Sequence, residues 1–213
     1  MTKPEQNHYL DYRSDIAINA SGRLPHWHQQ DKYQAITIRL ADSLPLSVRA
    51  ALEHERENWA HNHPEPWDEA TKKEHDRLFR GRIQQLLDNG YGKCVLRNRE
   101  AAEKFAEILY RDNDVRYDVT AYVVMPNHVH LVILPMSGSM TSEIIGQLKG
   151  CTSYEINKIL KTSGPLWQKE YFDRIIRNED HFNHALRYII DNYNSGGILI
   201  GGRYIEGGFR PDR

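Results

Sequence analysis

The sequence predicts an α+β fold in which a mixed β-sheet carries helices on its faces. Segments of alternating or continuous apolar character predict strands at residues 33–40, 116–124 and 128–134. A Met-Pro-Asn turn at residues 125–127 separates the last two, which predicts a hairpin. Because a hairpin interrupts the alternation of strands and helices, a mixed sheet is favoured over a parallel doubly wound one.

The first 90 residues are predicted to hold the first strand and a helical insertion. Residues 1–31 are polar and contain Gly22 and Pro25, which predicts an irregular N-terminal arm. Residues 41–90 are predicted to form a helical, net-acidic insertion, and Pro45 suits the first turn of a helix. Within this insertion, helices are expected at 45–60 and 69–87 around a proline-containing loop at 61–68.

The rest of the chain is predicted to complete the sheet and cover it with helices. The expected elements are a short strand at 94–96, helices at 99–110 and 141–160, an extended segment at 174–177 and a last helix at 178–193. Since 213 residues suffice to bury one sizeable core, the whole chain, 1–213, is expected to form a single domain.

Composition limits the classes of function. The sequence has no apolar run near the length of a membrane span, and its polar start lacks the apolar region of a signal peptide, which predicts a soluble, cytoplasmic protein. A formal net charge of -1 argues against coating nucleic acid by bulk electrostatics. Residues 144–177 nevertheless hold six basic and three acidic residues, so a local DNA contact is possible. Cys94 and Cys151 are expected to be free thiols.

The strongest local motif is His128-Val129-His130 in the predicted strand 128–134. Residues i and i+2 of a strand point to the same face, about 6.6 Å apart along it. Two imidazoles placed in this way can share one cation, although they can also be core histidines hydrogen-bonded to neighbours. Unpaired polar rings are costly in an otherwise apolar strand, which favours a metal site. A second such pair, His61 and His63, lies in an acidic loop and is the weaker candidate.

The last helix offers a third ligand and a nucleophile. At about 100° per residue, His181, Tyr188 and Asn192 fall on a stripe that flanks the core face. The core face itself is predicted to comprise Phe182, Leu186, Ile189 and Tyr193. Tyr188 and Asn192 are i, i+4 neighbours, so a phenol and an amide project to the same side one turn apart.

Together these residues suit phosphoryl transfer. A phenol with a pKa of about 10 is a poor nucleophile until a positive charge offsets its own, and a divalent cation that polarises a phosphate oxygen supplies that offset. Imidazoles generally suit Zn, Cu, Fe or Ni, whereas phosphoryl chemistry usually uses Mg or Mn with oxygen ligands, so the identity of the metal stays open. Tyr154, near Asn157 and Lys158, is the competing nucleophile, and the i+4 Asn favours Tyr188.

Two segments carry a family resemblance. Residues 125–133, MPNHVHLVI, resemble the His-hydrophobe-His core of HUH single-strand endonucleases, and residues 188–192, YIIDN, resemble the tyrosine helix of their single-tyrosine transposase branch. With residues 36–45 and 164–182, they are similar to REP-associated tyrosine transposases. The similarity extends over 24–199.

This resemblance implies a ferredoxin-like or RRM-like antiparallel sheet with the histidine pair on a central strand. It implies that His128, His130 and Asn192 bind Mg²⁺ or Mn²⁺ and that Tyr188 is the catalytic nucleophile. The implied partner is palindromic, single-stranded hairpin DNA, cleaved through a 5′-phosphotyrosine in the bacterial cytoplasm at the nucleoid. Family members usually follow the catalytic helix with Asn-Pro-Val-Lys-Ala-Gly-Leu, whereas residues 192–198 read Asn-Tyr-Asn-Ser-Gly-Gly-Ile.

The DNA contacts are expected in the basic segment. The candidate residues are Lys149, Lys158, Lys161, Trp167, Lys169, Arg174 and Arg177, with Tyr171 as a second stacking surface beside Trp167. Two other functions stay open: a domesticated hairpin-binding protein with little or no cleavage, and a small metallohydrolase unrelated to DNA. The sequence does not distinguish a monomer from a homodimer.

Overall fold

The computed structural model describes residues 6–19, 26–136 and 138–206, and its main feature is a five-stranded antiparallel sheet. In chain order, the strands are β1 (Ala17–Asn19), β2 (His26–His28), β3 (Gln34–Arg39), β4 (Tyr117–Val124), β5 (His128–Pro135), β6 (Phe172–Ile175) and β7 (Leu199–Gly201). The helices are α1 (Leu46–Asn62), α2 (Glu69–His75), α3 (Arg82–Asp88), α4 (Arg99–Arg111), α5 (Thr141–Leu160), α6 (Glu179–Asn194) and α7 (Arg203–Glu206).

The strand order confirms the predicted α+β class and the antiparallel sheet that the family resemblance implies. The sheet has the order β6-β3-β5-β4-β7, and every neighbouring pair is antiparallel. The run from β3 through α4, β4, β5 and α5 to β6 is a β-α-β-β-α-β ferredoxin-like unit, with β5 in the centre of the sheet. The insertion occupies the first crossover, between β3 and α4.

The two faces of β5 have different partners. Val129, Leu131 and Ile133 face the main core, which includes residues of α4 and α5. Val132 belongs to the second core, which includes residues of α6. Because successive strand residues alternate between faces, His128 and His130 lie on the same face as Val132, towards α6.

Strand β7 extends the sheet at its β4 edge and was not predicted from the sequence. It pairs with β4 over only three residues, too few to show an alternating pattern. Gly202 directly follows it with a φ of +115°, and a Cβ there would lie 2.5 Å from the Ala121 Cα. Only glycine therefore allows this close approach to β4.

Three local predictions were wrong. Residues 94–96 do not form a strand: Cys94 has a left-handed φ of 50°, and a 3-10 turn at Val95–Arg97 leads into α4. Tyr193, predicted on the core face of the last helix, is 42% exposed near the end of α6. The N-terminal arm is not wholly irregular, since β1 and β2 pair within it; Gly22 and Pro25 lie outside the described residues.

The insertion is helical, as predicted, and is tied to the turn before β5. A π-helical segment at Asp76–Gly81 joins α2 to α3, and Leu44, Leu52 and Leu87 form a small core of their own. The Asn127 side-chain amide donates hydrogen bonds to the carbonyls of Leu87, at 3.2 Å, and Tyr91, at 3.0 Å. The end of α3 is therefore held beside the first residue of β5.

Other predictions concern thiols and membrane spans. Both cysteines are free, as expected. Within the described ranges, no helix has the length and apolar character needed to cross a membrane.

The helix that carries Tyr188 begins with a side-chain cap, and the contribution of this cap to stability can be measured. The Asn178 oxygen accepts a hydrogen bond from the His181 backbone amide at 2.8 Å. We expect Asn178→Ala to lower the free energy of unfolding by about 1 kcal/mol, because the amide loses its acceptor. Asn178→Asp should retain most of the stability. Urea unfolding measures the difference, and equal midpoints for the alanine variant and the wild type would contradict the role of the cap.

Candidate active site

The two histidines of β5 meet at their Nε2 atoms. These atoms lie 2.9 Å apart, with the ring planes at 79°. His128 is 0% and His130 is 4% exposed. Burial lowers the pKa of His128 to about 3, and burial together with His128 lowers the pKa of His130 well below its usual value. Both imidazoles are therefore neutral at pH 7, the form that binds metal ions.

Asn127 determines which nitrogen of His128 carries the proton. The amide nitrogen of Asn127 donates to two backbone carbonyls, so its oxygen faces the Nδ1 of His128 at a distance of 2.7 Å. An amide oxygen only accepts hydrogen bonds, so Nδ1 of His128 must carry the hydrogen. The Nε2 atom of His128 therefore presents a lone pair.

His130 has the same tautomer for a related reason. The Gln84 amide nitrogen lies 3.0 Å from the Asp88 carboxylate and 3.2 Å from the His130 Nε2. A donor towards the carboxylate is also a donor towards His130, so Nε2 accepts and Nδ1 donates to the Thr37 hydroxyl at 2.8 Å. Two lone pairs thus converge between the rings, an arrangement that a shared cation would relieve. The 2.9 Å separation fits two nitrogen ligands at about 2.0–2.1 Å from one ion.

Tyr188 of α6 lies beside this pair. Its phenol oxygen is 3.5 Å from the His130 Nε2, and the two ring centroids are 4.9 Å apart in an edge arrangement. Burial raises the pKa of Tyr188 well above its usual value, and the Asp88 carboxylate raises this pKa further. The hydroxyl is therefore protonated at neutral pH and needs a nearby positive charge to become nucleophilic.

The side chain of Asn192 is hydrogen-bonded to Tyr188. It is buried one turn beyond Tyr188, and its amide nitrogen donates to the Tyr188 carbonyl at 2.8 Å. A side-chain hydrogen bond from Asn192 lowers the pKa of Tyr188, against the larger effect of burial. Among the described residues, the structure shows no hydrogen bond between Asn192 and either imidazole.

Two residues of the insertion reach the site, and sequence reasoning missed both. Gln84 and Asp88 lie one turn apart on α3, and the Asp88 carboxylate is 4.0 Å from the His128 Nε2. Nothing local in the sequence indicates that α3 lies beside β5. In the part of the chain that the structure describes, no three His, Cys, Asp or Glu side chains already form a metal site.

Arg39 is a further residue that the sequence did not single out. It pairs with His128 across β3 and β5, and strand alternation places it on the same face as Thr37. Its Nη1 is buried without a hydrogen-bond partner among the described residues. Burial lowers the pKa of Arg39 to about 10, with a smaller contribution from Arg49. The guanidinium is therefore still positively charged at pH 7.

Trp167 and Tyr171, which were predicted as stacking surfaces, are both buried. Trp167 is only 5% exposed, and its indole nitrogen donates to the Thr152 hydroxyl at 2.8 Å. Its ring also contacts Phe105 edge-on in the main core. Tyr171 is buried too and stacks on His26 at 4.1 Å. Both aromatic rings are therefore committed to packing and are not available to stack on bases.

The predicted basic contacts are divided between the two faces of the sheet. Helix α5 packs on the face opposite the histidine pair. It carries Lys149 and Lys158, and the Lys149 ammonium donates to the Lys169 carbonyl at 2.7 Å. Of the other candidates, Lys161, Lys169 and Arg177 are exposed and Arg174 is half-buried. Arg174 pairs with Ala35, which shares a face of β3 with Thr37, and the Arg177 backbone amide donates to the His181 Nδ1 of α6 at 3.2 Å. Both arginines therefore lie on the side of the sheet that carries the site.

The competing candidates lie elsewhere. Tyr154 is 70% exposed on α5, away from the histidine pair. His63 stacks on Trp59 at 4.1 Å, and its Nδ1 bonds to the Trp59 carbonyl at 2.9 Å. Neither residue shares a site with His128 and His130.

Thr37 is expected to position His130, and its removal provides a test. In Thr37→Val, the shape of the side chain is retained but Nδ1 loses its acceptor, so the tautomer and ring orientation are less well held. We expect divalent-cation affinity to fall about 10- to 100-fold, as for other groups that orient a ligand. Titration with Mn²⁺ followed by calorimetry measures this, and an unchanged dissociation constant would contradict it.

The fold and the site together define a ferredoxin-like α+β protein with a histidine–tyrosine site on one face of its sheet. Residues 91–192 match the family described as "Transposase IS200 like". This part of the chain is therefore similar to IS200-like transposases. It includes His128, His130, Tyr188 and Asn192, whereas α3, with Gln84 and Asp88, lies before it.

Comparison with solved structures finds similar chains at low identity. A REP-associated tyrosine transposase bound to a REP hairpin is 14% identical, with a TM-score of 0.39, over 87% of this chain and 73% of that one. A transposase candidate from Deinococcus radiodurans R1 is 14% identical, with a TM-score of 0.30, over 75% of this chain and 88% of that one. At these values, neither likeness indicates what this chain binds or cleaves. No curated protein matches the chain.

Proposed function

We propose that this protein is a metal-dependent, single-strand DNA endonuclease and strand transferase that binds palindromic hairpin DNA. The observation that carries the proposal is the position of the Tyr188 hydroxyl, 3.5 Å from the Nε2 of His130, whose lone pair converges with that of His128. A phenol beside two unprotonated imidazole nitrogens is a nucleophile beside a cation site. The match of residues 91–192 to an IS200-like transposase family supports the same chemistry.

His128 and His130 would hold the cation, which we propose is Mg²⁺ or Mn²⁺. When bound, such an ion polarises a phosphate oxygen and offsets developing negative charge. Asn192 is the proposed third ligand by family resemblance. Since its amide nitrogen donates to the Tyr188 carbonyl, it would have to contribute its oxygen.

The proposed step exchanges one phosphate ester for another. The Tyr188 oxygen forms a bond to the phosphorus, and the bond from phosphorus to the 3′ oxygen of the preceding nucleotide breaks. The phenol proton passes to solvent, and the leaving oxygen gains a proton to become a 3′ hydroxyl. The DNA stays joined to Tyr188 through its 5′ phosphate, so a 3′ hydroxyl can reverse the step and rejoin the strands without a nucleotide cofactor.

Arg39 supports a phosphate-bearing substrate. A buried guanidinium nitrogen without a partner, such as Nη1 of Arg39, is costly, and an anion that pairs with it removes this cost. Arg39 lies across from His128 on the face that carries the site, so a DNA phosphate placed there would meet both the cation ligands and a fixed positive charge. The preference for a hairpin rests on the resemblance of residues 36–45, 164–182 and 188–192 to REP-associated transposases.

Covalent capture tests the proposal. The full chain is incubated with a single-stranded oligonucleotide that folds into a hairpin and carries a label 3′ of the expected cut, in Mg²⁺, Mn²⁺ or EDTA. We expect a labelled protein–DNA adduct on a denaturing gel with either metal and none with EDTA. Duplex DNA of the same sequence should yield little adduct. The absence of both adduct and nicked product in every metal would contradict cleavage.

A domesticated hairpin-binding protein with little or no cleavage is the second candidate. The departure at residues 192–198 favours it, because the proline and lysine of the usual family sequence are missing. Gly197 packs so closely that a Cβ would lie 2.7 Å from the Tyr193 Cα and 2.9 Å from the Val123 Cγ2. The altered segment therefore packs closely against α6 and β4. Hairpin binding measured by anisotropy, with neither adduct nor nicked product in the capture experiment, would support this candidate.

A further inference from the structure

We propose that Asp88, from the helical insertion, is a cation ligand together with His128 and His130. The inference rests on the metal dependence of the proposed function and assigns the insertion a part in the site. The insertion precedes the residues that match the transposase family, so this ligand lies outside the matched domain. The chain would then complete its metal site with a side chain from a separate structural unit.

The distances between these groups fit a shared ion. Two atoms that bind one ion at about 2.0–2.2 Å each lie no more than about 4.4 Å apart. The two histidine Nε2 atoms are 2.9 Å apart, and the Asp88 carboxylate lies 4.0 Å from the Nε2 of His128. Both distances are within this limit, and the Asp88 side chain is half-exposed.

Gln84 lies between the Asp88 carboxylate and the His130 imidazole. Its amide nitrogen is 3.0 Å from the Asp88 carboxylate and 3.2 Å from the His130 Nε2. A single positively polarised N–H₂ group is therefore shared by an imidazole lone pair and a carboxylate. A divalent cation would satisfy the same two acceptors and would also reach His128.

The backbone beside Asp88 is held by hydrogen bonding and packing, although the negative charge of Asp88 is unfavourable for α3. Asn127 holds the carbonyl of the preceding residue, Leu87, which is buried in the small core of the insertion. Asp88 is the last residue of α3, where a negative charge opposes the helix dipole. A residue that conflicts with its local structure is characteristic of a functional position.

A carboxylate also changes which ion the site prefers. Two imidazoles alone suit Zn²⁺ or Cu²⁺, whereas carboxylate oxygens suit Mg²⁺ and Mn²⁺. With Asp88, the ligand set therefore suits Mg²⁺ and Mn²⁺, the ions that phosphoryl-transfer enzymes use, better than two imidazoles alone do. The insertion would thus influence the choice of metal as well as its affinity.

Metal affinity in the full chain tests the role of Asp88 without depending on cleavage. We expect Asp88→Asn to raise the dissociation constant for Mn²⁺ about tenfold or more in calorimetry. Glu57→Gln removes an exposed carboxylate from α1 and should bind Mn²⁺ like the wild type. The midpoint temperature of thermal unfolding of Asp88→Asn should be no lower than that of the wild type, because a negative charge at the end of α3 is locally unfavourable.

A thiol at the same position gives a spectroscopic test. In Asp88→Cys, bound Co²⁺ should show a near-ultraviolet thiolate-to-metal charge-transfer band that the wild type lacks, since only a direct ligand produces it. Glu57→Cys should show no such band. If Asp88→Cys lacks the band, or if Asp88→Asn binds Mn²⁺ with wild-type affinity, the role of Asp88 is overturned but the proposed metal dependence is not. A wild-type chain that binds no divalent cation would overturn the proposed metal dependence as well.

Discussion

Replacing Tyr188 by phenylalanine is expected to abolish the covalent protein–DNA adduct and to lower hairpin cleavage by about 10³-fold or more, to background. The variant lacks only the oxygen that would bond to phosphorus. That oxygen makes a long contact, 3.5 Å from the His130 Nε2, so the ring can stay in place and the fold should be retained. Hairpin affinity, measured by anisotropy, should change by no more than about twofold.

Tyr154 provides the matched control. It is a tyrosine of the same domain that is 70% exposed on the opposite side of the sheet. Tyr154→Phe should therefore form the adduct at the wild-type rate. An adduct that persists in Tyr188→Phe and disappears in Tyr154→Phe would reverse the assignment of the nucleophile. An adduct that persists in both variants would show that neither residue attacks the DNA.

Replacing His130 by alanine is expected to weaken Mn²⁺ binding by about 100-fold or more and to abolish the adduct. The change removes one of the two converging nitrogens and leaves His128 without a neighbouring ligand. The expected loss exceeds the 10- to 100-fold effect typical of groups that only orient a ligand. Calorimetric titration gives the affinity, and a denaturing gel gives the yield of adduct.

His61 is the control for this change. It is an exposed histidine at the end of α1, and His61→Ala removes an imidazole without affecting β5. Its Mn²⁺ affinity and adduct yield should equal those of the wild type. Circular dichroism checks that His130→Ala keeps the fold. A folded His130→Ala variant with wild-type metal affinity would be incompatible with a metal site at the histidine pair.

Much of the fold could be predicted from local patterns. The hairpin of β4 and β5, and α5 at residues 141–160, were predicted within a residue or exactly because their apolar periodicity is strong. The elements that were missed or wrong are short. β7 and the 3-10 turn at Val95–Arg97 span three residues each, so neighbouring contacts and glycine geometry decide their conformation.

The members of the site differ in how far they could be predicted. His128 and His130 share a face because strand residues alternate, and Tyr188 and Asn192 share a side of α6 because of helical periodicity. The position of Trp167 in the core was not foreseen, since it depends on what packs against this residue. Sequence spacing fixes the direction of a side chain only relative to its own element.

Local periodicity alone therefore determined the sheet hairpin, the histidine pair and the helix that carries the tyrosine. Only tertiary packing brought these elements together and added Thr37, Arg39, Gln84 and Asp88 to them. The physical reason is that contacts between distant segments depend on closing long loops around a common core, a free energy that no short window of sequence contains. The docking of α3 beside β5, some forty residues away in the chain, is the clearest case.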